Sequence, residues 1–102
     1  MKMEDKLLKI INNYGVIEQL KYLQSEVFEF NEAVIRCEEA YLNDVSEQYF
    51  ENLKEHIIEE LADVEVMLLQ IKEYYKIDRK EIINIINQKI ERQLKRIEAA
   101  NE

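Results

Sequence analysis

The chain reads as all-α. The predicted architecture is a long antiparallel helical hairpin with a short N-terminal and a C-terminal helix, one domain over residues 1–102, assembling into an oligomeric four-helix-type bundle. Three observations predict it. Pro is absent and Gly occurs once in a chain rich in Glu, Lys, Ile and Leu, so little interrupts a helix. Two apolar lines of matching length run at heptad spacing, one on each side of residue 44. Between them, Asn43-Asp44-Val45-Ser46 is the best turn candidate, and a short turn between two such lines favours antiparallel neighbours.

The first helix is expected to start at Asp5 as N-cap and to run through Leu7, Leu8, Ile10 and Ile11 to about Asn13 or Tyr14. Gly15 then follows as the residue that takes a left-handed conformation cheaply. The second runs from about Ile17 to Leu42, with Leu20, Leu23, Val27, Phe30, Val34, Cys37 and Tyr41 as its seam. The third runs from about Ser46 to Tyr75, with Ile57, Leu61, Val64, Leu68, Ile71 and Tyr75 as the matching seam. A fourth helix begins after Asp78, where Asp78 and Glu81 resemble a capping box. Its apolar residues, Ile82, Ile83, Ile85, Ile86, Ile90, Leu94 and Ile97, cover more circumference than one neighbour can bury, while Lys89, Arg92, Gln93, Lys95 and Arg96 occupy the other side. From Ala99 onward the helix is expected to fray.

Two acidic steps stand out on this frame, Glu26-Val27-Phe28-Glu29 and Glu60-Leu61-Ala62-Asp63. Carboxylates three apart share one helix face. The pairs 26/63 and 29/60 both centre on position 44.5, inside the turn candidate, so an antiparallel hairpin brings the steps level. All four acids immediately precede seam positions, which predicts that they gather on a single flank. Either step alone is an ordinary solvated face. However, none of the four has a Lys or Arg at i±3 or i±4, whereas Glu91 and Lys95 make such a pair elsewhere. Carboxylates about 6 Å apart repel by roughly 2–3 kcal/mol per pair at an effective dielectric near 20. A divalent cation is the usual compensation, and all-oxygen ligation suits Mg²⁺ or Mn²⁺ better than Zn²⁺.

Bulk composition excludes several partners. A net charge of −8 argues against nucleic-acid and anionic-membrane surfaces, which need clustered cations. Cys37 is the only cysteine, there is no signal-peptide pattern and no apolar run has spanning length, so a cytoplasmic location is expected. Cys37 itself reads as a small apolar seam residue. His56 lies one turn before Glu60 and can reach the edge of the acidic cluster; a surface histidine is the plainer reading. Tyr14, Gln19 and Tyr22 are candidates for a base pocket, with packing as the plainer reading.

The stretch Gln19-Leu20-Lys21-Tyr22-Leu23-Gln24-Ser25-Glu26-Val27-Phe28-Glu29 resembles the first motif of the MazG-type all-α nucleoside triphosphate pyrophosphohydrolases, and Glu59-Glu60-Leu61-Ala62-Asp63-Val64 resembles their second. The similarity covers roughly residues 17 to 97. It implies cleavage between the α and β phosphates of a nucleoside triphosphate, with Glu26, Glu29, Glu60 and Asp63 as Mg²⁺ ligands and catalytic carboxylates. It also implies Lys89, Gln93 and Arg96 as substrate-binding residues on the last helix. The sequence departs from the family pattern at Ser25, Phe28, Ala62 and Gln93, and in the thirty-residue gap between Glu29 and Glu60; these departures bear on substrate choice and activity.

Two alternatives stay open. A phosphoribosyl-ATP pyrophosphohydrolase has similar acidic motifs, although residues 65–69 lack the His usual there. A non-enzymatic helical dimerisation module with an acidic flank would be indifferent to Mg²⁺. The isoleucine-rich last helix predicts a homodimer or dimer of dimers, with the acidic flank covered by elements of a second chain.

Overall fold

Local signals set the helix ends. The computed structural model describes residues 1–101, in four helices and, among those residues, no strand. They are α1 (Met3–Tyr14), α2 (Val16–Leu42), α3 (Glu47–Tyr74) and α4 (Arg79–Ala100). The first corrects the expected start: Lys2, not Asp5, is the N-cap, and Asp5 lies with Glu4 in the first turn, where carboxylates face the positive end of the helix dipole. Gly15 joins α1 to α2 at φ 91°, ψ 148°, an extended left-handed conformation outside the αL well and open essentially to Gly alone. Its N–H caps Ile11 and its carbonyl accepts from Gln19, so a single residue ends one helix and starts the next.

Ser46 opens α3, its hydroxyl accepting from the Tyr49 N–H at 3.2 Å. Asp78 opens α4 with a complete capping box, Asp78 accepting from the backbone of the first turn and Glu81 accepting from the Asp78 N–H. At the end of α3 the Ile77 N–H bonds the Lys72 carbonyl and the Lys76 N–H bonds the Glu73 carbonyl, a Schellman pattern with Lys76 at φ 55° where Gly is the commoner choice. Helix α4 continues through Ala99, which was expected to fray; alanine is the best helix former.

Packing corrects the expected seams. On α2 the inward line is Gln19, Leu23, Glu26, Phe30, Ala33, Cys37 and Ala40. Leu20, Val27 and Tyr41, predicted as seam residues, are exposed. On α3 the line is Leu53, Ile57, Glu60, Val64, Met67 and Ile71, and Leu61, Leu68 and Tyr75 are exposed instead. The heptad period is as predicted, but its phase differs. Leu23, Phe30, Cys37, Ile57, Val64 and Ile71 are kept, Leu20, Val27, Val34, Tyr41, Leu61 and Leu68 give way to the residue one position earlier, and Tyr75 lies past the end of α3. With 100° per residue the inward face turns by about 50°. Leu7 and Ile11 of α1 cover one end of the α2–α3 pair.

Helix α4 is loosely attached: Arg79, Ile82, Ile83 and Ile86 line an open cleft with Met3 and Leu7 of α1 and Leu68 and Leu69 of α3. None of its residues is buried, and none of its Cα atoms lies within 8 Å of one in another helix. The chain is accordingly extended, with a radius of gyration of 17.8 Å against about 13 Å for a compact domain of this length. Among the described residues, no helix is long and apolar enough to cross a membrane.

Candidate metal centre

All four acids were expected on one flank; the altered phase carries Glu26 and Glu60 inward and leaves Glu29 and Asp63 exposed. Helix α2 supplies Glu26 and Glu29, and α3 supplies Glu60 and Asp63. Glu26 is 7% exposed, Glu60 is half-buried, and Glu29 and Asp63 are exposed. One carboxylate oxygen from each of Glu26, Glu60 and Asp63 lies within 4.8 Å of the other two. Glu29 is outside that triad but close enough for its charge to act on both Glu26 and Glu60.

Burial without compensation defines the electrostatics. Glu26 Oε2 and Glu60 Oε2 are buried and accept no hydrogen bond. Among the described residues, no Lys or Arg nitrogen comes within 4.0 Å of any of the four carboxylates. Loss of hydration raises the Glu26 carboxyl above its ordinary value, and the negative charges of Asp63, Glu29 and Glu60 push it further. Glu60 is raised first by burial and then by the charge of Glu29, with His56 acting in the opposite direction. His56 Nε2 sits 3.7 Å from Glu60 Oε1, at the edge of the cluster.

These oxygens suit a hard divalent cation. Oxygens bound to one Mg²⁺ at 2.0–2.1 Å are separated by at most about 4.2 Å. The three oxygens lie within 4.8 Å of one another, so a cation would need only small side-chain rotations to gather them. An ion there would also give the orphaned oxygens the partner that buried polar atoms require.

The other sequence candidates are distributed differently. Lys89, Gln93 and Arg96 are exposed on α4, away from the other helices. Gln19 is buried and donates to Gln70 Oε1 at 2.7 Å, while Tyr14 and Tyr22 are exposed. Two groups were missed by motif reading. Gln70 completes the buried amide pair, and its level match to Gln19, again centred on 44.5, was available as a signal. Arg36 lines a depression with Phe28, Glu29, Glu32, Ala33, His56 and Glu60, and its i+7 spacing from Glu29 puts it on the same face. Comparison of the chain with protein-family models, with curated proteins and with solved structures gives no match.

Proposed function

We propose that the protein is a Mg²⁺-dependent nucleotide pyrophosphohydrolase that converts a nucleoside triphosphate or its deoxy form to the monophosphate and pyrophosphate. One observation carries the reading: a carboxylate nine-tenths buried, with an unpartnered oxygen, facing two more carboxylates and no cation. A helix pair does not retain that arrangement for its own stability, because unpaired buried charge is among the costliest features of a core. Glu26, Glu60 and Asp63 hold the Mg²⁺ (or Mn²⁺), with Glu29 next to them. When bound, the ion neutralises charge on the phosphate oxygens and lowers the pKa of an attacking water. One of the four carboxylates orients or deprotonates that water, and Lys89, Gln93 and Arg96 serve as phosphate donors once α4 has a partner to pack on.

The reading takes α2 and α3 as an antiparallel hairpin whose bundle is completed by a second copy. Support comes from area and pattern. The chain exposes 8494 Å², against about 6,100 Å² for a compact monomer of 12.3 kDa. The excess, about 2,400 Å², matches what one subunit buries in a large obligate dimer. In that hairpin the exposed Leu20, Val27, Leu61 and Leu68 share one flank of the seam, and Glu29 and Asp63 share the other. A second copy on the apolar flank, together with α4, leaves the acidic flank open to a nucleotide. This differs from the sequence expectation that the second chain covers the acids.

The test is pyrophosphate release from a panel of ribo- and deoxynucleoside triphosphates with Mg²⁺, alongside Mn²⁺ titration of the wild type and Glu60→Gln. Turnover of at least one nucleotide, abolished with metal binding in Glu60→Gln, is expected. No turnover, with equal metal affinity in both proteins, sinks the proposal and leaves the dimerisation module.

A further inference from the structure

Metal ligands explain the acids but not the basic groups next to them. Helix α2 carries Tyr22, Glu29 and Arg36 at heptad spacing, and α3 carries His56, Asp63 and Gln70 at the same spacing. Each helix thus sets one acid and one basic group on a common face, two turns apart. Arg36 and His56 open into a single depression with Glu29 and Glu60, two of the four acids. Arg36 is exposed and, among the described residues, makes no ion pair within 4.0 Å, although Glu32 faces the same depression one turn before it. No other Arg or Lys lines that depression.

At the opposite end of the cluster the seam is closed. Gln19 and Gln70 are bonded to each other and buried, with Gln70 2% exposed, so no anion can enter there. The site is therefore polar in the literal sense. Neutral amides seal the end towards α1, and Arg36 and His56 flank the end towards residues 43–46.

We infer that Arg36, assisted by His56, binds the terminal phosphates of the substrate, so that the triphosphate lies along the α2–α3 groove with its leaving pyrophosphate towards residues 43–46 and its nucleoside towards α1. The inference rests on the proposed function and adds an orientation to it. Arginine is suited to the task because its planar fork gives two parallel donors to a phosphate and its charge persists at every working pH. A chain of net charge −8 repels a triphosphate, so a cation placed at the mouth of an acidic cluster does more here than on a neutral surface. In this orientation Arg36 and His56 meet the leaving pyrophosphate and hold no metal.

The full-length wild type, Arg36→Ala, Arg36→Lys and His56→Ala are titrated calorimetrically, first with Mn²⁺ and then with inorganic pyrophosphate in saturating Mn²⁺. Arg36→Ala should keep the wild-type Mn²⁺ affinity and lose about tenfold or more in pyrophosphate affinity, the effect of one charge-assisted contact. Arg36→Lys should recover part of the loss, and His56→Ala should lose less than Arg36→Ala. In turnover the Arg36→Ala defect should appear chiefly in KM. Wild-type protein that binds no Mn²⁺ overturns the proposed function, and this inference with it. Wild type that binds both, with Arg36→Ala binding pyrophosphate equally well, overturns the orientation alone. Circular dichroism shows whether each variant is folded; Arg36 is exposed, so all should be, and Arg36→Gln replaces any that is not.

Discussion

The α2–α3 pair and α4 invert the usual relation between polarity and burial. Between α2 and α3, the residues removed from solvent include Gln19, Glu26, Glu60 and Gln70, all polar. On α4, Ile83, Ile86, Ile90, Leu94 and Ile97 are each 40% exposed or more. One region places costly groups where water is scarce, and the other leaves apolar groups where water is abundant. Neither is how a lone chain reaches maximum stability. Under the proposed function, a bound cation would account for the polar interior and a second copy for the apolar exterior. Charge points the same way. Helix α4 carries six basic and three acidic residues, net +3, which leaves −11 on the rest of a chain whose total is −8.

The largest effect is expected at α4. Ile90→Glu with Leu94→Glu should convert an oligomer of at least twice 12.3 kDa into a helical monomer, read by light scattering and circular dichroism. A wild-type monomer, or an unchanged mass in the variant, would leave the exposed isoleucines without a partner. Because no α4 residue is buried within the chain, the substitutions should not unfold the α2–α3 pair.

Next in size is the response of the acidic interior to metal. Mg²⁺ at a hundred times its dissociation constant should stabilise the native state by about 2.7 kcal/mol, measured as a rise in Tm. The pH dependence has a definite sign. Glu26 and Glu60 have raised carboxyl pKa values in the folded state, so between the ordinary Glu value and those raised values the native protein holds more protons than the unfolded chain. Metal-free stability should therefore fall as pH rises through that window. Saturating Mg²⁺ should shrink or reverse the fall, because it stabilises the ionised carboxylates. A metal-free stability that rises over the window would contradict the buried cluster.

The amide pair should show a smaller, strongly coupled effect. Gln70→Leu alone leaves the buried Gln19 amide without its partner and should cost about 1–3 kcal/mol, whereas Gln19→Leu with Gln70→Leu should recover most of it. Additive losses in the double variant would mean that the two amides do not depend on each other. Smaller again is Lys76→Gly, which relieves a left-handed lysine and should stabilise by about 1 kcal/mol. At the bottom lies Lys21→Ala. Its ion pair with Glu18 at 3.2 Å is about two-thirds exposed at both ends, and its loss should change stability by less than about 0.5 kcal/mol.

Much of this contrast was legible in the amino-acid order. Ser46, Asp78 and Gly15 mark helix ends because capping and backbone freedom are local properties, decided within a few residues. The pairing of Glu26 with Asp63 follows from period and turn position, and those carboxylates do approach each other. The start of α1 was misplaced because Asp5 is favourable both as a cap and inside the first turn, and only the backbone distinguishes the two. Arg36 and Gln70 escaped motif reading because neither belongs to a recognisable pattern; each matters only through what faces it.

Sequence alone determined four helices, their period and the level at which the acids meet, since these depend on spacing along one chain. Tertiary structure decided the phase. Leu23, Phe30, Ile57, Val64 and Ile71 serve either the predicted or the observed seam. The choice between Leu20 and Gln19, or between Leu61 and Glu60, depends on what lies on each side of the pair. An apolar line indicates that something covers it but not which helix, and here α3 took one phase of α2 and left the other exposed.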